Sequence, residues 1–236
     1  MLNRLFCRYF DRILITESMN KPQAVIFDMD GVLVDSEPFH FENETRMFRK
    51  LGLDISDEEH SHFTGVATDV MWQQISETRK LPLSVAELTE LTVLESNQYF
   101  GSLEKIEPLP GLVDLLEKLV AAEIPLAVAT SSDTVTMKNI LEKSGLRKYF
   151  RFTVCRDDVE NSKPEPDVFL HAAKLLGVPP EKCLVFEDSR NGIKAAKAAG
   201  MVCIAYSGGN SGHQDQSQVD RRIAHFNELD FVNLLK

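Results

Sequence analysis

The chain has 236 residues, 43% of them hydrophobic and 26% charged, with a formal net charge of −10. It is long enough for one sizeable domain or a core carrying an inserted unit, and its composition predicts a soluble globular protein. The acidity, with no basic stripe interleaved with aromatics, excludes a nucleic-acid surface, and no apolar run approaches the ~20 residues of a membrane span.

In residues 1–20, Leu2, Leu5, Phe6, Tyr9, Phe10, Ile13 and Leu14 fall near helical spacing, with Arg4, Arg8 and Arg12 between them. An organelle-targeting helix shares that pattern, but Asp11 and Glu17 oppose it. The stretch reads as an amphipathic extension, or as sequence upstream of a start at Met19. The next run, Ala24 to Asp28, is a buried strand by composition. It delivers Asp28 and Asp30 two residues apart, followed at once by Gly31. Side chains at that spacing on extended backbone point the same way. Two carboxylates at ~4 Å repel by about 4 kcal/mol at an effective dielectric of 20. A pair kept so close serves a cation, a shared proton or chemistry.

Residues 37–103 are helical in pattern throughout. One stripe holds Phe41, Thr45, Phe48 and Leu51, a second Val70, Met71, Gln74 and Ile75, a third Leu88, Leu91, Leu94 and Tyr99. The segment reads as a helical bundle inserted into an α/β core formed by residues 21–36 and 104–236. Two roles stand for it: a mobile lid over the Asp28/Asp30 site, or a fixed accessory bundle. Beyond it, strand runs at Leu126–Thr130, Phe152–Cys155, Cys183–Glu187 and Val202–Ala205 alternate with helices at Gly111–Glu123, Ser132–Lys143, Asp167–Leu176 and Arg190–Ala199. That alternation predicts a parallel sheet with helices on both faces and ligands at the carboxyl ends of the strands. Gly208–Gln218 reads as an exposed loop before a short terminal helix. Cys7, Cys155, Cys183 and Cys203 are far apart and fit reduced, mostly buried thiols of a cytoplasmic protein.

Each later strand ends in a polar cluster. Thr130-Ser131-Ser132-Asp133 can hydrogen-bond an anion, or Ser132 or Asp133 can cap the next helix. In Ser162-Lys163-Pro164-Glu165-Pro166-Asp167 a stiff Pro-x-Pro stretch holds a lysine, a point charge for a phosphoryl oxygen or for carboxylates. Glu187 and Asp188 add two acids to the first pair, unless one of them caps the following helix. Four carboxylates at one sheet edge favour a hard divalent cation, and Mg²⁺ fits best.

The motifs FDMDGVLVDSE, ATSSD, SKPEPDVF and VFEDSRNGIKAAKAAGM occur in that order between about Gln23 and Ala205. Together they resemble the haloacid dehalogenase-like hydrolase superfamily, nearest its branch of β-phosphoglucomutase and small sugar-phosphate phosphatases. The resemblance implies a Rossmann-like core with a helical cap, and a small phosphorylated metabolite as partner. It implies Asp28 as the nucleophile that takes the phosphoryl group and Asp30 as general acid and then base. Thr130 and Ser131 would hold the phosphoryl group and Lys163 would offset its charge. Mg²⁺ would lie on the Asp28 carboxylate, the Asp30 backbone carbonyl and Asp188, with Glu187 beside or just behind. Asp30 argues against a dehalogenase, which needs neither a leaving-group acid nor a metal.

Three functions follow from that resemblance. A phosphatase passes the phosphoryl group to water and a mutase to a bound sugar, while an inactive binding protein would lack Asp28, Asp30, Lys163 or Asp188, all present here. Where the mutase pattern supplies a cap arginine for a distal phosphate, this chain reads Gly65-Val66-Ala67-Thr68, which favours the phosphatase unless Arg46, Arg49 or Arg79 substitutes. His40 and Glu37 lie just inside the insertion, where His40 steadies Asp30, meets substrate or packs at the hinge. The sequence leaves monomer and dimer equally open.

Overall fold

In the computed structural model the described residues are 21–63, 66, 68–208, 215–230 and 234. The expected N-terminal extension, Gly65 and Ala67 of the insertion, most of the Gly208–Gln218 loop and most of the terminal helix lie outside them.

Strand β1 (Ala24–Phe27) is fully buried and sits in the middle of the sheet. Around it lie β2 (Leu126–Ala129), β3 (Phe152–Val154), β4 (Cys183–Glu187), β5 (Val202–Tyr206) and β6 (Arg221–Ile223), all parallel, in the order β3-β2-β1-β4-β5-β6. A strand buried on both faces has no polar alternation to keep, which is why Ala24–Phe27 reads as an unbroken apolar run. Its alternate residues split the core. Val25 and Phe27 face a cluster with helices α5 (Leu112–Ala121) and α6 (Thr134–Lys143). Ala24 and Ile26 face a second cluster with α7 (Asp167–Leu176) and α8 (Arg190–Ala198). Phe27 stacks on Phe186 of β4 with ring centroids 4.9 Å apart.

Strand β6 lies just beyond the Gly208–Gln218 stretch and was not among the expected strands. It is three residues long and carries two arginines, so neither length nor hydrophobicity marks it; only Ile223 is buried. Charge on a short edge strand discourages pairing with another chain.

Between β1 and α5 the chain forms α1 (Glu37–Lys50), α2 (Asp57–Ser61), α3 (Thr68–Thr78) and α4 (Val85–Ser102). Met47, Phe48, Met71, Trp72, Ile75 and Leu88 form a third apolar cluster there. The helices are those the periodicity predicts, with α2 as an extra turn, but their inward faces differ. In α3, Val70 and Gln74 are exposed, and Met71, Trp72 and Ile75 point inward. In α4, Leu91 and Leu94 are exposed and Leu88, Thr92 and Phe100 are buried. Trp72 sets the rotation: its indole Nε1 donates to Thr92 Oγ1 at 2.9 Å, so a polar residue sits where a leucine stripe was expected.

Removing that acceptor leaves a buried indole N–H unpaired, which costs about 1–3 kcal/mol. Thr92→Val therefore lowers the urea midpoint, followed through the fluorescence of Trp72, the chain's single tryptophan. An unchanged midpoint would show that the hydrogen bond contributes nothing.

Candidate active site

The strand register places the polar residues. Phe27 is level with Val128 of β2 and Phe186 of β4, so Asp28, Thr130 and the Glu187–Asp188 pair leave the sheet at one edge. Asp28 N donates to Phe186 O at 2.9 Å, continuing the ladder by one residue before the chain turns at Gly31 with φ of 75°. That left-handed conformation is open to glycine at little cost. Lys163 enters from the loop between β3 and α7.

Lys163 is buried, and its Nζ lies 2.5 Å from Asp28 Oδ1 and 2.8 Å from Glu187 Oε1. The ammonium also lies 4.8 Å from the centre of the Phe169 ring. Glu187 is fully enclosed. Its Oε2 accepts backbone N–H bonds from Asp188 and Ser189, both at 2.6 Å. Burial opposes the charge on Lys163, but Asp28 and Glu187 outweigh it and hold the group as an ammonium. For Asp28, burial is the largest influence and raises it; Lys163 pulls the other way, and Glu187 and Asp30 add to the rise, which ends at about 7. The two shifts are compatible, because one ammonium is shared between two carboxylates and Glu187 is the better solvated by N–H groups.

Asp30 occupies a separate cage. Ser36 Oγ donates to its Oδ1 at 2.6 Å, Ser132 Oγ to its Oδ2 at 2.7 Å, and Thr130 Oγ1 to the same oxygen at 3.4 Å. His40 Nε2 stands 3.5 Å from Oδ1. Burial raises the Asp30 carboxyl, but His40, Ser36 and Ser132 together overcome it and bring it down to about 2. His40 shifts the opposite way: burial lowers it and the Asp30 contact more than restores it, so it is raised.

Asp28, Glu187 and Asp188 present carboxylate oxygens all within 4.8 Å of one another. Hard oxygen donors with an excess of negative charge suit a divalent cation of the Mg²⁺ type. Asp28 and Glu187 share the Lys163 ammonium and Asp188 adds a third carboxylate, so the donor set fits such an ion on charge as well as on spacing.

The helix-capping alternatives resolve to other residues. Asp133 caps α6, accepting from Val135 N and Thr136 N at 2.9 and 3.1 Å, which frees Ser132 to meet Asp30. Ser189, rather than Glu187 or Asp188, caps α8, accepting from Gly192 N at 3.0 Å. Ser131 is exposed at the mouth, and Thr130 Oγ1 also accepts from Ser132 N at 3.0 Å. Sequence reasoning gave Ser36 no role, weighed Ser132 as an anion contact or a cap, and offered three roles for His40, of which the contact with Asp30 is the one seen. Ser36 and Ser132 lie in the quoted motifs, next to residues already singled out, so adjacency was the available signal. Gln216 had none: its buried amide donates to Asp188 O at 2.8 Å and Tyr206 O at 3.1 Å, tying the chain beyond β5 to the cluster.

Residues 25–206 match the family model described as haloacid dehalogenase-like hydrolase. Among curated proteins, the chain is 36% identical over 182 residues to a phosphorylated carbohydrates phosphatase of Thermotoga maritima, covering 77% of this chain and 83% of that one. It is 37% identical over 183 residues to a fructose-1-phosphate phosphatase of Escherichia coli, covering 77% and 94%. Among solved structures, CbbY of Rhodobacter sphaeroides in complex with xylulose-(1,5)bisphosphate superposes with a TM-score of 0.78 at 29% identity, over 90% of this chain and 99% of that one. β-Phosphoglucomutase of Clostridium difficile gives 0.73 at 25% identity, over 89% and 94%.

Gly192 allows the close approach of α8 to this cluster, since a Cβ there would overlap Glu187 Oε1 and Cδ. Helix propensity alone makes Gly→Ala stabilising by about 1 kcal/mol; overpacking a held side chain costs about 1–3 kcal/mol. The second effect wins because Glu187 is pinned by Lys163 and two N–H groups. Gly192→Ala is expected to lower the melting temperature, and a rise would show that Glu187 moves freely.

Proposed function

The chain belongs to the haloacid dehalogenase-like hydrolase family, and from that premise we propose that it is a magnesium-dependent phosphatase of small phosphorylated metabolites, sugar phosphates foremost. The observation that carries the reading is the division between two aspartates two residues apart: Asp28 shares a buried ammonium with Glu187, and Asp30 stands in a cage of hydroxyls beside His40.

In this mechanism an Asp28 oxygen attacks phosphorus, the ester bond to the leaving oxygen breaks, and the phosphoryl group becomes an aspartyl-phosphate. Asp30 hands a proton to the departing alkoxide. With Asp30 held as a carboxylate at rest, that proton belongs to the Asp30–His40 pair and passes across their 3.5 Å contact. Water then attacks phosphorus, Asp30 takes its proton, and phosphate leaves with Asp28 restored. Lys163 holds Asp28 in line and offsets charge on the equatorial oxygens. Thr130 braces Asp30, and Ser131, exposed at the mouth, offers its hydroxyl to the phosphoryl group. Mg²⁺ would be held by the Asp28 carboxylate, the Asp30 backbone carbonyl and Asp188, and when bound it neutralises the transferring group. Glu187, with both oxygens engaged, stands behind and fixes Lys163.

Hydrolysis of p-nitrophenyl phosphate and fructose 1-phosphate, with Mg²⁺ and after chelation, tests the proposal. Turnover should appear only with the metal. Asp28→Asn should abolish it in a folded protein, and Asp30→Asn should slow it about 10²-fold or more, the scale of a lost acid–base group. Metal-independent turnover, or wild-type rates in Asp28→Asn, would refute the mechanism.

A further inference from the structure

Resting on the phosphatase reading, we infer that the substrate's leaving group is an uncharged polyol and that esters carrying a second anionic group are rejected. The side of the site beyond Asp30 is acidic. On α1, Glu37, His40 and Glu44 fall at i, i+3 and i+7 and so share one face. His40 meets Asp30, and its ring packs edge-on to Phe100 at 5.3 Å. Glu44 is held in place by accepting from Nε2 of the buried His60 at 2.7 Å. Glu37 is half-buried beside them, and burial first, then the charges of Asp30, Glu44 and Asp35, raise its carboxyl against the pull of His40. Both glutamates therefore lie within electrostatic reach of the leaving-group side.

Three cations of the helical unit are committed elsewhere, and Arg49 is exposed in the last turn of α1. Arg46 lies on the opposite face of α1 from Glu37, 3.8 Å from Glu42 and over the Tyr99 ring at 5.2 Å. Arg79 grips both oxygens of Glu59 at 2.6 and 2.7 Å, and Lys50 pairs with Glu95. Thr68, at the start of α3, is neutral. Neither Arg46 nor Arg79 is presented as the substitute for a phosphate-gripping arginine. A second phosphate or carboxylate on the substrate would meet Asp30, Glu37 and Glu44 with His40 to offset them. Sugar hydroxyls, by contrast, donate to those carboxylates. Selectivity here comes from repulsion of the wrong ligand as much as attraction of the right one.

The test compares kcat/KM for fructose 1-phosphate, fructose 1,6-bisphosphate and phosphoglycolate at saturating Mg²⁺. The monophosphate should be preferred by about 10-fold or more over each competitor that carries a second anionic group. Raising ionic strength to ~0.5 M, where the screening length is only a few ångströms, should narrow the preference. Glu37→Gln and Glu44→Gln should each narrow it further, chiefly through the KM of the bisphosphate; Glu37→Gln leaves the His60 contact untouched and guards against misfolding. Equal kcat/KM in the wild type, or a preference unmoved by salt and by both variants, would overturn the inference while leaving the phosphatase intact. Failure to hydrolyse any ester would remove the phosphatase reading, and this inference with it.

Discussion

One buried ammonium between two buried carboxylates is the constraint on which the site depends. Lys163, Asp28 and Glu187 come from three separate stretches of chain and meet with almost no solvent access. Taking such charges out of water costs several kcal/mol per ion, recovered only when geometry is good and remaining lone pairs are satisfied. The structure meets both conditions through backbone: Glu187 accepts two N–H bonds from the turn that follows it, and Gly192 lets α8 approach without crowding it. Even so, the ammonium answers only part of the negative charge at the sheet edge. The sheet edge thus keeps an excess of negative charge of the kind a divalent cation would offset.

The same edge separates two chemically identical groups. Asp28 and Asp30 share a strand end, yet burial and the neighbouring Glu187 and Asp30 raise the first against the pull of Lys163, while His40 and the hydroxyls of Ser36 and Ser132 overcome burial and lower the second. Environments that push paired carboxyls apart assign them different roles. The two environments follow from the course of the chain past β1: Asp28 N still bonds into the ladder, and the Asp30 carboxylate meets Ser36 and His40 of α1.

Much of this was legible in the sequence, for reasons that can be named. A strand buried on both faces must be apolar along its length, so β1, β2, β4 and β5 announce themselves, and the residues just past them are the ones a parallel sheet offers to ligands. What depended on tertiary contact was not legible. The rotation of α3 and α4 turns on an indole hydrogen bond to Thr92, which no stripe of leucines reveals. Strand β6 is held by its neighbour rather than by its own composition. Ser36, Ser132 and Gln216 are ordinary polar residues until the fold brings them to Asp30 and Asp188.

The packing also divides the inserted helices in a way that bears on selectivity. Phe39 at the start of α1, with Phe100 and Leu103 at the end of α4, packs into the cluster beneath the sheet face, whereas Met47 and Phe48 belong to the separate cluster around Trp72. Leu109 N donates to Leu33 O at 2.9 Å, closing the two chain segments that flank these helices, and Thr136 of α6 donates to Asn97 of α4 at 2.9 Å, tying α4 to the core. His40 and Glu37 stand at the base of the insertion. Their place beside Asp30 is fixed by core packing, whatever the distal helices do, because displacing them would expose Phe39 and Phe100 at about 1.5–3 kcal/mol per side chain. Glu37, the acid next to His40, therefore belongs to the rigid floor of the site, whereas Glu44 is held from above by His60 of α2.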